Sequence, residues 1–371
     1  MMGNWKTCTI GDLGTVVGGA TPSTKKTENY DGGTISWITP KDLAGFSGRF
    51  ISRGERNITE QGLKSCSTQL MPAHTVLFSS RAPIGYIAIA NQEVCTNQGF
   101  KSVVPNEDTD YMFLYYLLKY NKDKIENLGS GTTFKEVSGS TMRGIEVSVP
   151  ETIEEQRQIA SVLSALDDKI EKNTEVNENL EQQAQAIYAD MFITNADPTW
   201  TMGHLSDLIT VKYGKDHKKL EDGSYPVYGS GGIMRYVERP LYDKESVLIP
   251  RKGTLNNVLY VNEPFWSVDT MFFTEMKLPN VAKYVYHFVK SNDLASLNAG
   301  SAVPSMTTDI LNAMELLIPD ADSLSKFESI VAPMFLTMQQ NTQESSKLAE
   351  ARDALLPRLM SGELDVSALD I

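Results

Sequence analysis

The residue types that most often carry catalysis or bind metal ions are few in this chain and lie far apart. The 371 residues include four histidines without an HExxH motif and three cysteines without a CxxC pair: His74, His204, His217, His287, Cys8, Cys66 and Cys95. Residues 262–265 (Asn-Glu-Pro-Phe) lack the double proline of the motif used by amino-group methyltransferases. Residues 229–232 (Gly-Ser-Gly-Gly) lack the Gly-Lys-Ser/Thr ending of a phosphate-binding loop. The sequence therefore predicts no catalytic site, no metal site and no cofactor on this chain.

Polar side chains that pair with nucleic-acid bases instead follow short β-like runs in both halves of the chain. Arg and Lys form paired hydrogen bonds with guanine, and Asn and Gln with adenine, while small loop residues let backbone amides approach phosphate. The candidates in the first half are Ser79, Ser80, Arg81, Asn97, Gln98, Lys101, Thr132, Thr133 and Lys135. Those in the second half are Lys215, Lys218, Ser230, Arg251, Lys252, Asn256, Asn257 and Ser301. We predict that these residues contact double-stranded DNA, and the alternative for each is an ordinary solvated loop.

A formal net charge of −13 by itself opposes such a partner, because phosphate contacts need Lys and Arg. The surplus acid is confined to residues 151–197 (net −8) and residues 320–371 (net −5). Residues 1–150 carry 15 basic and 14 acidic side chains, and residues 198–319 carry 12 and 13. Local basic patches on these two nearly neutral parts are compatible with DNA binding.

The sequence also predicts where the protein acts. Its first residues contain no apolar stretch typical of a signal peptide, and no run approaches the roughly 18 apolar residues of a membrane span. The separated cysteines are typical of reduced thiols. We expect a cytoplasmic protein without a membrane partner.

The chain repeats itself with a period of about 170–195 residues. Trp5 and Trp200 are followed, at matching distances, by Gly/Ser-Asp-Leu, then Thr-Val, then Gly. Residues 76–81 resemble residues 247–251 with one residue removed. Near the end of each copy, Gly131 has its counterpart in Gly300, and a Glu and a Pro further on are repeated in the same order. Many short matches in the same order indicate the duplication of one domain together with a trailing helix.

Each copy begins with a lobe of mixed pattern. The first lobe (residues 1–150) and the second lobe (residues 198–319) are rich in Gly, Pro, Ser and Thr and contain short β-like runs. Each also contains one short helical stretch, at residues 111–120 and 281–290. The pattern predicts two similar α+β domains.

The segments after the lobes have helical periodicity. Between Ile159 and Ile187, residues along one seam recur in alternating steps of four and three, with Asn173 and Asn177 in the middle. Residues 324–360 repeat this pattern less regularly: Pro333 lies in the first turns, and we expect Pro357 to disturb the end. Residues 151–197 and 320–371 are therefore predicted to be spacer helices.

Two packing arrangements are compatible with these helices. Each helix could pack on its own lobe, or the two could pair with each other. Their acidic outer faces, their length of ~60 Å at ~1.5 Å per residue and the polar seam residues favour pairing. Because the chain must return, the predicted fold is α+β, with two similar mixed α/β domains separated by two long helices that form an antiparallel coiled coil. This is a dumbbell with approximate two-fold symmetry.

Three segments resemble the specificity subunit of type I restriction–modification enzymes. Residues 150–160 (Pro-Glu-Thr-Ile-Glu-Glu-Gln-Arg-Gln-Ile-Ala) resemble that family's first spacer helix where it begins. Residues 355–366 (Leu-Leu-Pro-Arg-Leu-Met-Ser-Gly-Glu-Leu-Asp-Val) resemble its C-terminal ending, and Trp5 with the following Gly-Asp-Leu resembles the opening of a target-recognition domain. The resemblance covers essentially the whole chain, although residues 320–330 lack the Glu-Glu-Gln triplet.

The resemblance implies a non-catalytic subunit with two target-recognition domains, each reading one half of a split DNA site in the major groove. The helices would set the distance between the halves and dock two adenine-N6 methyltransferase subunits, and motor-nuclease subunits would join for cleavage. Lobes beside the ends of a rod of this length suit half-sites centred about one DNA turn or more apart, where one turn is ~34–36 Å.

Two other functions remain open from the residues alone. A coiled-coil adaptor whose lobes bind proteins would show no salt-dependent affinity for DNA. A stand-alone nucleic-acid enzyme would show turnover by the isolated chain.

Overall fold

The computed structural model describes residues 4–131, 135–297 and 305–366. It divides into two compact units: the first contains Met1–Asn173 and Gln343–Ile371, and the second contains Thr174–Thr342. Both borders fall inside long helices, so each unit contains one lobe and a piece of each helix. The terms first lobe and second lobe are kept for the globular parts.

The first lobe is built on three small sheets. Its strands are β1 (Trp5–Thr9), β2 (Gly14–Gly18), β3 (Ile35–Ile38), β4 (Phe50–Ile51), β5 (Asn57–Ile58), β6 (Val76–Phe78), β7 (Ile87–Ala90), β8 (Cys95–Thr96), β9 (Lys101–Pro105) and β10 (Glu146–Pro150). Its helices are α1 (Ile10–Leu13), α2 (Pro40–Leu43), α3 (Glu60–Lys64), α4 (Tyr111–Tyr120), α5 (Lys122–Asn127) and α6 (Gly139–Arg143). The sheet orders are β1-β10, β2-β9-β6-β7-β4 and β5-β3-β8.

Helix α4 shows why this sequence folds as it does. The side chain of Asp110 caps it by accepting a hydrogen bond from the Phe113 backbone N–H at 2.9 Å. The helix then buries Phe113, Leu114, Leu117 and Leu118 in the main core of the lobe. This confirms the helix predicted at residues 111–120.

Long helix α7 (Ile153–Ala189) follows the first lobe, and a single π-helical turn at Asp190–Thr194 ends it. The second lobe contains strands β11 (Thr201–His204), β12 (Ile209–Tyr213), β13 (Asp222–Gly229), β14 (Gly232–Val237), β15 (Ser246–Pro250), β16 (Leu259–Val261), β17 (Trp266–Ser267), β18 (Met271–Met276) and β19 (Glu315–Ile318). Its helices are α8 (Leu205–Leu208), α9 (Ala282–Ser291) and α10 (Thr308–Asn312). The sheet orders are β11-β19, β12-β18-β15-β16 and β14-β13-β17.

Long helix α11 (Ala321–Met360) follows the second lobe. The prediction of two long helices is confirmed, but the expected disturbance of the second helix at Pro357 is wrong. The helix continues through Pro333 and Pro357, and the Thr337 hydroxyl donates to the Pro333 carbonyl at 2.9 Å. Proline removes one backbone donor from a helix, and packing of the surrounding apolar face outweighs that loss here.

The strand registers of the two lobes are equivalent. Ser79 bridges Phe100 in the first lobe, and Pro250 pairs with Met271 at the equivalent position of the second. No residue is removed between the copies, so the sequence alignment was wrong by one position. Arg81 corresponds to Lys252, and Ser80 to Arg251.

Pieces of the two long helices lie side by side within each unit. In the first unit, Arg352 of α11 donates to Asp167 of α7 at 2.6 Å, and Asn173 donates to Glu344 at 2.8 Å. In the second unit, the Asn341 side-chain amide donates to the Asn177 carbonyl oxygen at 2.8 Å. The polar seam residues therefore form hydrogen bonds between the helices.

A buried arginine joins the first lobe to α7. Arg49, only 4% exposed, precedes β4 and binds Glu171 through Nη2 at 2.8 Å; it also pairs with Asp168. Burial lowers the pKa of the Arg49 guanidinium, but hydrogen bonds to both carboxylates outweigh burial, so the pKa is raised. The guanidinium stays charged and fixes the lobe on the helix within this unit.

The second lobe is joined to α7 by a neutral histidine. His287 of α9 is fully buried, and its Nδ1 lies 2.8 Å from the Gln185 side-chain oxygen. Burial lowers the pKa of His287 to about 4. Because the Gln185 oxygen only accepts, Nδ1 carries the proton of a neutral ring.

Candidate nucleic-acid interface

Three segments that are distant in sequence meet at one end of the first lobe. The Ser80 N–H donates to the Gly99 carbonyl at 2.7 Å, and the Val137 N–H donates to the Ser80 carbonyl at 2.9 Å. These backbone bonds bring residues 79–81, 97–101 and 135–137 together. Four of the nine predicted first-half residues therefore belong to a single surface: Arg81, Gln98, Lys101 and Lys135.

The charged side chains of this surface form an ion network. Arg81 Nε lies 3.0 Å from one oxygen of Glu136, and Lys101 Nζ lies 3.7 Å from the other. Arg81 is 45% exposed, Glu136 37% and Lys101 15%, so solvent reaches the arginine and the carboxylate. Lys135 and Gln98 are exposed beside them. We call Arg81, Gln98, Lys101, Lys135 and Glu136 the first face.

The predicted role of Ser79 and Ser80 does not fit the structure. Both residues are fully buried. The Ser79 hydroxyl donates to the Pro83 carbonyl and accepts from the Tyr86 N–H, each at 2.8 Å, and the Ser80 hydroxyl donates to the Gly99 carbonyl. Their side chains hold the loop that presents Arg81 rather than facing solvent. The small polar residues before Arg81 were predicted to lie on the surface, but they lie beneath it and support it.

Asn97 also acts locally, because its side-chain oxygen accepts from the Gly99 N–H at 2.9 Å. This bond shapes the turn that leads into β9. The neighbouring Gln98 accepts from the Thr21 hydroxyl and remains exposed.

The second lobe has the same backbone frame. The Arg251 N–H donates to the Thr270 carbonyl at 2.8 Å, and the Met306 N–H donates to the Arg251 carbonyl at 2.9 Å. These bonds match those of Ser80 in the first lobe. Lys252 and Ser305 form the backbone bridge that Arg81 and Glu136 form there.

The side chains on this second frame differ from those of the first. The Arg251 guanidinium lies 5.4 Å from the centre of the Tyr213 ring, which favours a cation–π contact, and Nη1 donates to the Asp269 carbonyl at 3.3 Å. Lys252 and Lys215 are exposed. We call Tyr213, Lys215, Arg251 and Lys252 the second face.

The remaining second-half candidates have other positions. Asn256 donates to Asp293 at 2.9 Å and accepts from the Ala295 N–H, whereas Asn257 donates to the Ser230 carbonyl at 2.7 Å. Both amides therefore hold the loop after Lys252. Lys218 is exposed in the loop after Lys215, and in the part of the chain that the structure describes no hydrogen bond or ion pair joins it to the second face.

Thr132, Thr133 and Ser301 lie outside the described residues. The segments that flank them are placed by the Glu136 and Ser305 bridges.

One glycine in each lobe lets two backbone segments approach closely beneath each face. A Cβ at Gly19 would lie 2.1 Å from the Thr96 carbonyl oxygen, and one at Gly214 would lie 2.0 Å from that of Val268. No side chain fits at either position. The glycine repeat seen in the sequence thus reflects the same close approach in both lobes.

The sequence did not indicate two residues of the faces, Glu136 and Tyr213, or the tryptophan support behind them. Glu136 and Tyr213 belong to the faces, but a carboxylate does not indicate a basic patch and a tyrosine after β-like residues is typical of a strand. The indole N–H of Trp37 on β3 donates to the Ala20 carbonyl in the first lobe, and that of Trp266 on β17 donates to the equivalent Lys215 carbonyl in the second. The tryptophan therefore lies on a different strand in each lobe, but its N–H donates to the equivalent backbone position.

Within residues 4–131, 135–297 and 305–366, no group of three or more His, Cys, Asp or Glu side chains could hold a metal ion. None of the helices described there combines the length and apolar character that crossing a bilayer needs.

The duplicated lobe with its trailing helix defines a class of protein. Residues 2–182 and 198–332 each match the family described as the type I restriction modification DNA specificity domain. The chain therefore belongs to the family of type I restriction–modification specificity subunits.

Individual relatives are similar over most or part of the chain. The type I restriction enzyme MjaIX specificity subunit of Methanocaldococcus jannaschii is 33% identical over 99% of this chain and 95% of that protein. The EcoR124I/EcoR124II specificity subunit of Escherichia coli is 28% identical over 52% of this chain and 49% of that protein. The crystal structure of the S subunit of a type I restriction-modification system from M. genitalium shares the fold, with a TM-score of 0.61, 20% identity and 96% coverage of both chains.

Proposed function

We propose that each lobe reads one half of a bipartite DNA site in the major groove. The observation that carries this proposal is the equivalence of Arg81 and Lys252, two exposed cations on the same hydrogen-bonded frame in the two lobes. Cations of this kind bind phosphate or guanine. A duplicated face suits a site with two separate halves.

The long helices are proposed to pair as an antiparallel coiled coil that sets the distance between the halves, giving the dumbbell predicted from sequence. The contacts of Asp167 with Arg352 and of Asn177 with Asn341 support this, because residues later in α7 contact residues earlier in α11. Helix α7 has 37 residues, or ~55 Å at ~1.5 Å per residue. That length exceeds one turn of DNA, ~34–36 Å.

The chain is proposed to act without catalytic residues of its own and without a cofactor. Two methyltransferase subunits would dock on the helices and methylate adenine, and motor-nuclease subunits would join for cleavage. The domain limits follow the sequence: recognition domains at 1–150 and 198–319, and spacer helices at 151–197 and 320–371. Because its substrate is host or incoming DNA, we assign the assembly to the cytoplasm.

The test is a footprint of the chain bound to its methyltransferase subunits. Two protected segments separated by an unread spacer are expected. The logarithm of the affinity should also fall with the logarithm of the salt concentration, with a slope of about −0.9 for each phosphate contact. Affinity independent of salt would instead favour an adaptor whose lobes bind proteins. Turnover by the isolated chain would show that it is an enzyme.

A further inference from the structure

The two faces share a backbone frame but differ in charge at one position of it. Glu136 is bridged to Arg81 in the first lobe, whereas the uncharged Ser305 is bridged to Lys252 in the second. The Glu136 carboxylate lies 3.0 Å from Arg81 and 3.7 Å from Lys101. One carboxylate thus pairs with two of the three cations of the first face that are proposed to meet DNA, Arg81 and Lys101.

This arrangement makes DNA compete with Glu136. A phosphate that approaches Arg81 or Lys101 must displace the carboxylate and is repelled by its charge. Because Arg81 and Glu136 are 45% and 37% exposed, solvent weakens their attraction, so a well-matched partner can replace it. A phosphate that only replaces the carboxylate beside these cations gains little binding free energy. A base that donates a hydrogen bond to the carboxylate gains more, and the cytosine amino group is such a donor in the major groove.

We propose that Glu136 is a specificity-determining residue of the first lobe, an inference that rests on the proposed function. It withholds Arg81 and Lys101 from DNA of unrelated sequence and releases them to a half-site that satisfies the carboxylate as well. The second lobe has Ser305 at this position, so it supplies most of the affinity for unrelated DNA. The two lobes therefore discriminate by different means.

Glu136→Gln tests this in the full-length chain assembled with its methyltransferase subunits. Gln keeps the shape and the backbone bridge but removes the charge. Binding to a mixed-sequence duplex should strengthen by about 3- to 10-fold. Between about 50 and 200 mM salt, the slope of log affinity against log salt should steepen by about 0.9–1.8, because one or two more phosphates are contacted.

Two further variants provide the comparison. Glu107→Gln removes the same charge from the turn after β9, and Pro105 at that end of the strand is ~13 Å from Lys101 by the strand rise. That distance exceeds the screening length of ~8–10 Å, so affinity and slope should not change. Ser305→Glu adds the charge to the second lobe and should weaken binding to the same duplex by about 3- to 10-fold.

Identical affinities and slopes for Glu136→Gln, Glu107→Gln and the unmodified chain would overturn the role of Glu136. The unmodified chain would still bind in a salt-dependent way, so the proposed function would stand. If the unmodified assembly bound DNA without salt dependence, the proposed function and this inference would both fail.

Discussion

Replacing Arg81 by alanine tests whether the first face reads DNA and which half of the site it reads. The Arg81–Glu136 pair is nearly half exposed, so its loss should lower the free energy of unfolding by only ~0.2–1 kcal/mol. A guanidinium that pairs with guanine contributes ~1–3 kcal/mol of discrimination, or about 5- to 150-fold in affinity. The expected product is a folded chain whose affinity for its own site falls by that factor.

The assay uses three duplexes: one with both halves of the recognised site intact and two with one half scrambled. Arg81→Ala should weaken binding wherever its own half is intact and should cost nothing further once that half is scrambled. Lys252→Ala, at the equivalent position of the second lobe, should give the same pattern for the other half. Lys6→Ala is the control, since Lys6 is an exposed cation on β1, which pairs with β10 in a different sheet from β6 and β9.

The reasoning about Arg81 is refuted by an equal loss at both halves. It is also refuted if Arg81→Ala and Lys252→Ala couple to the same half. Thermal unfolding of each variant shows whether a loss of affinity reflects unfolding instead.

Two further variants test how the lobes are held on α7. Arg49→Ala leaves Glu171 and Asp168 without their buried partner and should lower the free energy of unfolding by roughly 2–3 kcal/mol, less than the loss of a fully buried pair because Asp168 is exposed. The melting temperature should fall by about 4–12 °C. A fall no larger than that of Lys6→Ala would contradict this account. His287 has a folded-state pKa of about 4, below its unfolded value of ~6.5, so the unfolded chain binds the proton more readily. The free energy of unfolding should therefore fall by up to roughly 3 kcal/mol as the pH drops from 6.5 to 4. His287→Asn should remove this pH dependence. The measurement is the free energy of unfolding of both proteins by chemical denaturation between pH 6.5 and 4. The same pH dependence in both proteins would contradict this role of His287.

Much of the fold could be predicted because it depends on patterns that the duplication repeats. The heptad steps from Ile159 to Ile187 specify a helix wherever they occur, and the paired Trp, Asp-Leu and Gly positions mark two copies of one lobe. Details decided by packing could not be predicted. Pro333 continues α11 because the apolar face around it is buried, which no local propensity shows.

The candidate site was predictable in outline only. Arg81, Lys101 and Lys135 are predicted from the sequence because cations after β-like runs are typical of a binding surface. The burial of Ser80 and the pairing of Glu136 with Arg81 depend on contacts between segments that are distant in sequence. Aligning Arg81 with Lys252 needed the strand registers, since the sequence around them aligns equally well with a one-residue shift.

Sequencing the methylated adenines of a host that carries this chain with its methyltransferase subunits measures the central claim most directly. One motif with two specified segments, separated by a spacer of fixed length without sequence preference, is the predicted result. Arg81→Ala should relax only one of the two segments. A contiguous motif, or methylation that does not change when this chain is removed, would contradict a chain that reads DNA with two lobes held a set distance apart.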